Sequence, residues 1–169
     1  MSFGYADNMI FEDVTVTFDA SWKLALVGRN GRGKTTLMKL LLGELPYAGR
    51  IQSDVNFVYF PQTIVDKTQL TKFILDELYD APDWQIHREL NLLGLPEDIL
   101  WRPFDTLSGG EQTKVLLAGL FLDEANFPLI DEPTNHLDVA SRAKIANYLK
   151  RSKSGYIVVS HDRQFLDEV

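Results

Sequence analysis

The apolar positions change rhythm several times along the chain. Residues 10–18 carry Phe11, Val14, Val16 and Phe18 in partial alternation, which predicts a strand entering a small sheet. Leu24-Ala25-Leu26-Val27 is a continuous apolar run, predicting a buried strand, and residues 36–42 follow it as a helix. Gly43, Pro46 and Gly49 then punctuate a turn region, and the β-branched and aromatic stretch 55–60 predicts the next strand, ended by Pro61-Gln62. Helical spacing returns over 70–79 and 84–93, with Asp83 as N-cap and Gly94 as the stop. Downstream the pattern reads helix 111–122, strand 127–130, helix 139–149 and strand 156–159. Pro128 removes a ladder donor, so it is expected at the beginning of its strand or at a bulge. Alternation of this kind predicts an α/β fold: a mostly parallel sheet flanked by helices, a small antiparallel β part, and ligand at the carboxyl ends of the strands. Residues 1–62 and 104–169 then form a core, and 63–103 a short helical subdomain within a single domain.

Composition narrows the class. A chain of 169 residues that is 45% hydrophobic and 24% charged fits one folded domain. No apolar stretch is long enough to cross a bilayer and no basic-then-apolar leader opens the chain, so the expected location is cytoplasmic, without membrane insertion. Without cysteine there are no disulfides or thiolate sites, and any metal must be held by oxygen. A net charge of −7 is the wrong sign for a domain that grips phosphate backbones over its whole surface.

Candidate chemistry begins at Gly28-Arg29-Asn30-Gly31-Arg32-Gly33-Lys34-Thr35, a G-x-x-x-x-G-K-T sequence between strand and helix. Its glycines let backbone N–H groups turn inward as an anion nest at a helix N-terminus. Lys34 brings charge to the outer phosphates, and the Thr35 hydroxyl can ligate Mg²⁺. A nucleoside triphosphate is the expected ligand. Asp131-Glu132 directly follows a buried strand. An isolated acidic pair is more often a solvated loop tip, but beside a phosphate cradle Asp131 is expected to hold Mg²⁺ and Glu132 to orient or deprotonate an attacking water. Leu107-Ser108-Gly109-Gly110-Glu111-Gln112 is locally a capping box, with Ser108 as N-cap and Glu111 as its reciprocal partner. Glycines in a first helical turn each cost about 1 kcal/mol relative to alanine. The bare backbone is therefore expected to serve an anion, and with one cradle already present, that of a nucleotide on a facing domain.

In this order the motifs resemble those of ATP-binding cassette (ABC) domains, over about residues 3–165. The cradle (Gly28 to Thr35, with Thr36) is followed by Pro61-Gln62, the signature Ser108-Gly109-Gly110-Glu111, Asp131-Glu132, Asn135-His136-Leu137-Asp138 and Val159-Ser160-His161-Asp162. The resemblance implies a P-loop NTPase with Mg²⁺ at Thr35, Gln62 and Asp131, and with Glu132, His161 and Lys34 as the catalytic groups. It also implies that an N-terminal aromatic, Tyr5 or else Phe3, stacks on adenine. His136 is expected to be structural in its turn, His87 to sit on a solvated face, and Trp22, Trp84 and Trp101 to serve core or insert packing.

Asp131-Glu132-Pro133-Thr134-Asn135-His136-Leu137-Asp138, with Glu111-Gln112-Thr113-Lys114, is similar to the ABC-F subfamily, whose members carry two cassettes on one chain and act on ribosomes. Arg32 in the cradle is similar to the first cassette of the antibiotic-protection branch. The resemblance thus implies a partial first cassette, weakly active alone, whose partners are ATP, a second cassette and, through other regions, the ribosome. The alternatives are the energy module of a transporter and a non-enzymatic nucleotide sensor.

Overall fold

The computed structural model describes residues 1–169 apart from Asp7, Asn30 and His136. A parallel sheet is built from β3 (Lys23–Leu26), β4 (Asn56–Phe60), β5 (Asn126–Asp131) and β6 (Tyr156–Val159), in the order β3-β6-β5-β4. A separate antiparallel hairpin joins β1 (Phe3–Tyr5) to β2 (Asn8–Phe11). The helices are α1 (Lys34–Leu41), α2 (Thr71–Leu78), α3 (Asp83–Leu92), α4 (Gly109–Leu120), α5 (Val139–Arg151) and α6 (Arg163–Glu168). No helix among the described residues is long and apolar enough to cross a membrane.

Side chains alternate between the faces of a strand, and both faces of this sheet are covered. Phe127, Leu129, Ile157 and Val159 pack with Met38 of α1 on one side. Ile130, Tyr156 and Val158 join Val115, Leu117, Ile145 and Leu149 from α4 and α5 on the other. Burial on both sides explains why β5 and β6 read as continuous apolar runs. The run Leu24-Ala25-Leu26-Val27, expected as a buried strand, instead forms edge strand β3 with exposed and half-buried positions, and Val27 lies exposed past its end. Because the strands are parallel, their carboxyl ends line one rim, where the cradle, Gln62, Asp131-Glu132 and Ser160-His161 all emerge.

Several local expectations need correction. The strand expected over 10–18 ends at Phe11. Its partner β1 is only three residues long, and Asp13 turns the chain with φ 46°, its N–H taken by Ser2 Oγ. Beyond the turn Val14 N–H reaches Met1 O, and no ladder follows. The N-cap of α3 is Pro82, with Asp83 in the first turn. Pro128 stands inside β5, one residue before the β5–β6 pairing begins at Leu129, so it interrupts no established part of that ladder. The tryptophans are surface residues: Trp22, Trp84 and Trp101 are 52%, 64% and 63% exposed. Trp84 lies in the first turn of α3 with the Arg88 guanidinium 5.5 Å over its ring, a contact that suits an aqueous face. His87 is half-buried rather than solvated, 3.8 Å from Glu97. Gly94 does end the segment after α3, with φ 68°.

Polar burial under α5 gives a first testable expectation. The Tyr148 hydroxyl donates to buried Glu89 at 2.6 Å, and Arg88 donates to the same carboxylate. Burial, reinforced by the Glu89 charge, holds the Tyr148 phenol well above its ordinary range, and burial pushes Tyr156 up to about 12. A phenol whose folded pKa exceeds its unfolded value contributes stability fully below the unfolded pKa and loses it as pH rises towards the folded one. The melting temperature should therefore fall steadily from about pH 10 upward. A melting curve at about pH 11 that superimposes on the one at pH 8 would refute this account.

Candidate functional site

β3 delivers the chain into the cradle, and α1 starts immediately after Gly33, whose φ of 91° and ψ of 10° turn the loop into the helix. Gly31 is also left-handed, with φ 75°. A β-carbon on Gly33 would lie 2.7 Å from Ile10 Cγ2 and 3.1 Å from Phe11 Cζ, so the β1–β2 hairpin rests directly on the loop. Lys34 Nζ donates to Gly28 O at 2.7 Å and Arg29 O at 3.2 Å, holding its charge over the loop.

Across the rim, Asp131 Oδ2 accepts hydrogen bonds from Thr35 Oγ1 at 3.3 Å and from Tyr59 Oη at 2.9 Å. Burial, then the Asp131 contact, pushes the Tyr59 phenol far above its ordinary range, so it remains a donor. Glu132 follows in a left-handed conformation, φ 51°, with its N–H bonded to Val159 O at 2.8 Å. Its Oε2 accepts the His161 backbone N–H at 3.2 Å and its Oε1 stands 3.1 Å from His161 Nε2, an ion pair when the imidazole is protonated. A positive φ at a non-glycine residue costs on the order of 1–3 kcal/mol, and here it turns one carboxylate towards Thr35 and the next towards His161.

These groups line a cleft of about 890 Å³. Gly31, Gly33, Lys34, Thr35 and Thr36 form one wall, Asp131, Glu132 and His161 another, and Tyr5 of the hairpin stands at the side. Between the candidates for adenine, Phe3 is buried with its ring edge-on to Tyr5 at 4.8 Å, while Tyr5 is 48% exposed. Gly28, Arg29 and Arg32 belong to the loop but do not line the cleft, and Asn30 lies outside the described residues, as does His136.

Gln62 is not brought to the acidic pair. Its amide donates to the Tyr79 hydroxyl just past α2, and its Oε1 is buried without a partner among the described residues. The signature also stands apart from the cleft. Ser108 Oγ accepts from Glu111 N–H at 3.3 Å while Glu111 Oε2 accepts the Ser108 N–H at 2.8 Å, which completes the capping box and holds the Glu111 carboxyl below its usual range. A β-carbon on Gly109 would meet nothing within 4 Å, so this helix start is open to an approaching group. Asn8, Ile10 and Tyr59 also line the cleft, and sequence reasoning gave them no part in it; Thr113, Pro133 and Asn135 line it too, within stretches quoted for the family resemblance. For Tyr59 a signal exists in its position on the strand that ends at Pro61-Gln62.

The donors present suit Mg²⁺. One carboxylate and one hydroxyl meet at the phosphate loop, and the described residues contain no cluster of three or more acidic or histidine ligands. A hard cation that keeps waters and takes its remaining ligands from phosphate oxygens needs no more.

Comparison with known proteins bears on the family and the fold. A family model described as ABC transporter matches residues 11–135. ABC transporter F family member 2 of Arabidopsis thaliana is 33% identical over 99% of this chain, which spans 26% of that protein. ATP-binding protein Uup of Haemophilus influenzae is 37% identical over 99% of the chain and 27% of its own length. Among solved structures, an archaeal ribosome recycling factor, aABCE1, in complex with the ribosomal stalk protein aP1 superposes with a TM-score of 0.71, at 30% identity over 89% of this chain and 31% of that one. The chain thus spans about a quarter of the length of these curated relatives. Motif order, a two-walled cleft on a parallel sheet and matches to F-type proteins lead to one assignment: the chain belongs to the ABC family, as an ATP-binding cassette similar to those of its F-type members.

Proposed function

We propose that this chain binds Mg·ATP in the cleft between the cradle and Asp131-Glu132 and hydrolyses it as one half of a pair of cassettes, in an F-type protein that acts on the ribosome. The observation that carries the reading is the 3.3 Å contact between Thr35 and Asp131, which joins the phosphate loop to the acidic strand end. In this reading the loop N–H groups and Lys34 bind the phosphates, and Tyr5 offers its face to the base. Thr35 and Asp131 would hold Mg²⁺, and Gln62 would join them after leaving Tyr79. When bound there, Mg²⁺ would supply neutralisation of phosphate charge. Glu132 accepts the proton of the attacking water, and His161 holds Glu132 through its backbone N–H and contacts the terminal phosphate.

Ser108, Gly109 and Gly110 complete the site of an opposing cassette, which suits their open helix N-terminus away from this chain's own cleft. Closure around ATP and separation after hydrolysis then form the working cycle, and the single chain turns over slowly. Residues 63–103 act as the helical subdomain. The ribosomal assignment rests on the F-type relatives and on the recycling factor solved with a ribosomal stalk protein.

Calorimetric titration with Mg·ATP should show saturable binding, weakened when Mg²⁺ is chelated. Absence of binding heat and of any nucleotide-induced rise in melting temperature would end the reading. Sedimentation through sucrose of the longer protein containing this cassette, with ribosomes and ATP, separates the F-type assignment from the transporter one. Co-sedimentation supports the former, and its absence with every nucleotide refutes it.

A further inference from the structure

β4 and β5 run in parallel register, with Tyr59 opposite Leu129 and Phe60 opposite Ile130, so the Tyr59 ring reaches the rim beside Asp131. Its hydroxyl donates to Asp131 Oδ2 at 2.9 Å, shorter than the 3.3 Å bond that Thr35 makes to the same oxygen. Packing does not require this hydroxyl. The ring sits half-buried against the Met38–Phe127 side of the core, where a phenylalanine would fill the same space, and removing a phenol from water is unfavourable unless its proton finds an acceptor. The acceptor it finds is the carboxylate assigned to Mg²⁺.

Resting on that assignment, we propose that Tyr59 is a positioning residue for the metal site. Its hydroxyl holds one oxygen of Asp131 in place, so that the carboxylate already faces Thr35 before Mg·nucleotide arrives. A hydrogen bond to a ligating carboxylate fixes its orientation, and loss of such a partner typically lowers metal affinity about 10–100-fold. Among the described residues Asp131 has no Lys or Arg within salt-bridge distance, which leaves its orientation to the two hydroxyls.

The test measures ADP affinity by calorimetry, with Mg²⁺ and with chelator, for the native chain, Tyr59→Phe, Asp131→Asn and the double variant. We expect Tyr59→Phe to bind metal-free ADP within about twofold of native while losing about tenfold of the gain that Mg²⁺ confers. The half-saturating Mg²⁺ concentration for hydrolysis should rise with little change in kcat at saturating metal. In the Asp131→Asn background Tyr59→Phe should add no further loss. An undiminished Mg²⁺ gain in Tyr59→Phe overturns the proposal, as does an equal loss with and without metal, which would mark a packing role. A native chain whose ADP affinity ignores Mg²⁺ removes the metal assignment itself, and the positioning role with it. A native gain that survives intact in Tyr59→Phe removes only the latter.

Discussion

Glu132→Gln is expected to lower ATP turnover by about a thousandfold while leaving nucleotide affinity within about twofold. The substitution is nearly isosteric, and the amide keeps an oxygen that can accept the His161 N–H, now bonded to Glu132 Oε2 at 3.2 Å. The backbone bond from residue 132 to Val159 O is untouched, so the left-handed conformation at this position persists. What disappears is the charge and the ability to accept a proton, the quantity on which general-base assistance of about 10²–10⁴ rests. Phosphate release at saturating Mg·ATP, measured beside nucleotide affinity, decides the matter. Normal turnover in the variant would show that Glu132 is not the base. The same variant should accumulate as an ATP-bound pair on gel filtration, because opening follows hydrolysis in the proposed cycle. A native chain that turns over briskly at a rate per molecule independent of protein concentration would contradict the composite site.

The parts of this arrangement that were legible in the sequence are those dictated by near neighbours along the chain. A phosphate loop needs glycines, a lysine and a hydroxyl at fixed offsets between strand and helix, and Gly28 to Thr35 with α1 satisfies that locally. The capping box is likewise a contact across four residues, and Ser108 and Glu111 form it. The strands buried on both faces, β5 and β6, show as unbroken apolar runs for the reason that makes them central. What local pattern could not supply is which strand lies beside which. Tyr59 reaches Asp131 across 72 residues of sequence because β4 lies beside β5, and no local spacing encodes that contact. The strand expected through Phe18 failed for a related reason: alternation describes a surface, but a ladder needs a partner, and β1 offers one only as far as Phe11. The tryptophans were misplaced because bulk and apolarity do not distinguish a core from a half-wetted surface, where at Trp84 a cation covers the ring. Gln62 depends on an adjustable side chain, and its hold by Tyr79 follows from the packing of the helical segment on the core.

Gly33→Ala should damage both the fold and the binding site, and by separable amounts. At φ 91° an L residue is strained by on the order of 1–3 kcal/mol, whatever surrounds it. The new methyl would also come 2.7 Å from Ile10 Cγ2 and 3.1 Å from Phe11 Cζ, forcing the β1–β2 hairpin away from the loop. For a domain of this size each kcal/mol lowers the melting temperature by about 2–4 °C, so a fall of several degrees is expected. Gly109→Ala serves as the comparison: its β-carbon meets nothing within 4 Å and its position opens a helix, so its melting temperature should hold or rise. The effect on nucleotide is larger. Relaxing the strain at residue 33 would rotate the peptide N–H groups proposed to bind the phosphates, and charge-assisted bonds of about 1.5–3 kcal/mol each would weaken together. Loss equivalent to two such bonds lowers ATP affinity by about a hundredfold or more. Displacement of the hairpin also carries Tyr5 away from the cleft it borders, so base contacts and phosphate contacts fail together. Differential scanning and calorimetric titration on the same preparation separate the two terms. A variant that melts several degrees lower yet binds Mg·ATP like the native chain would mean that the backbone at Gly33 is not part of the phosphate site.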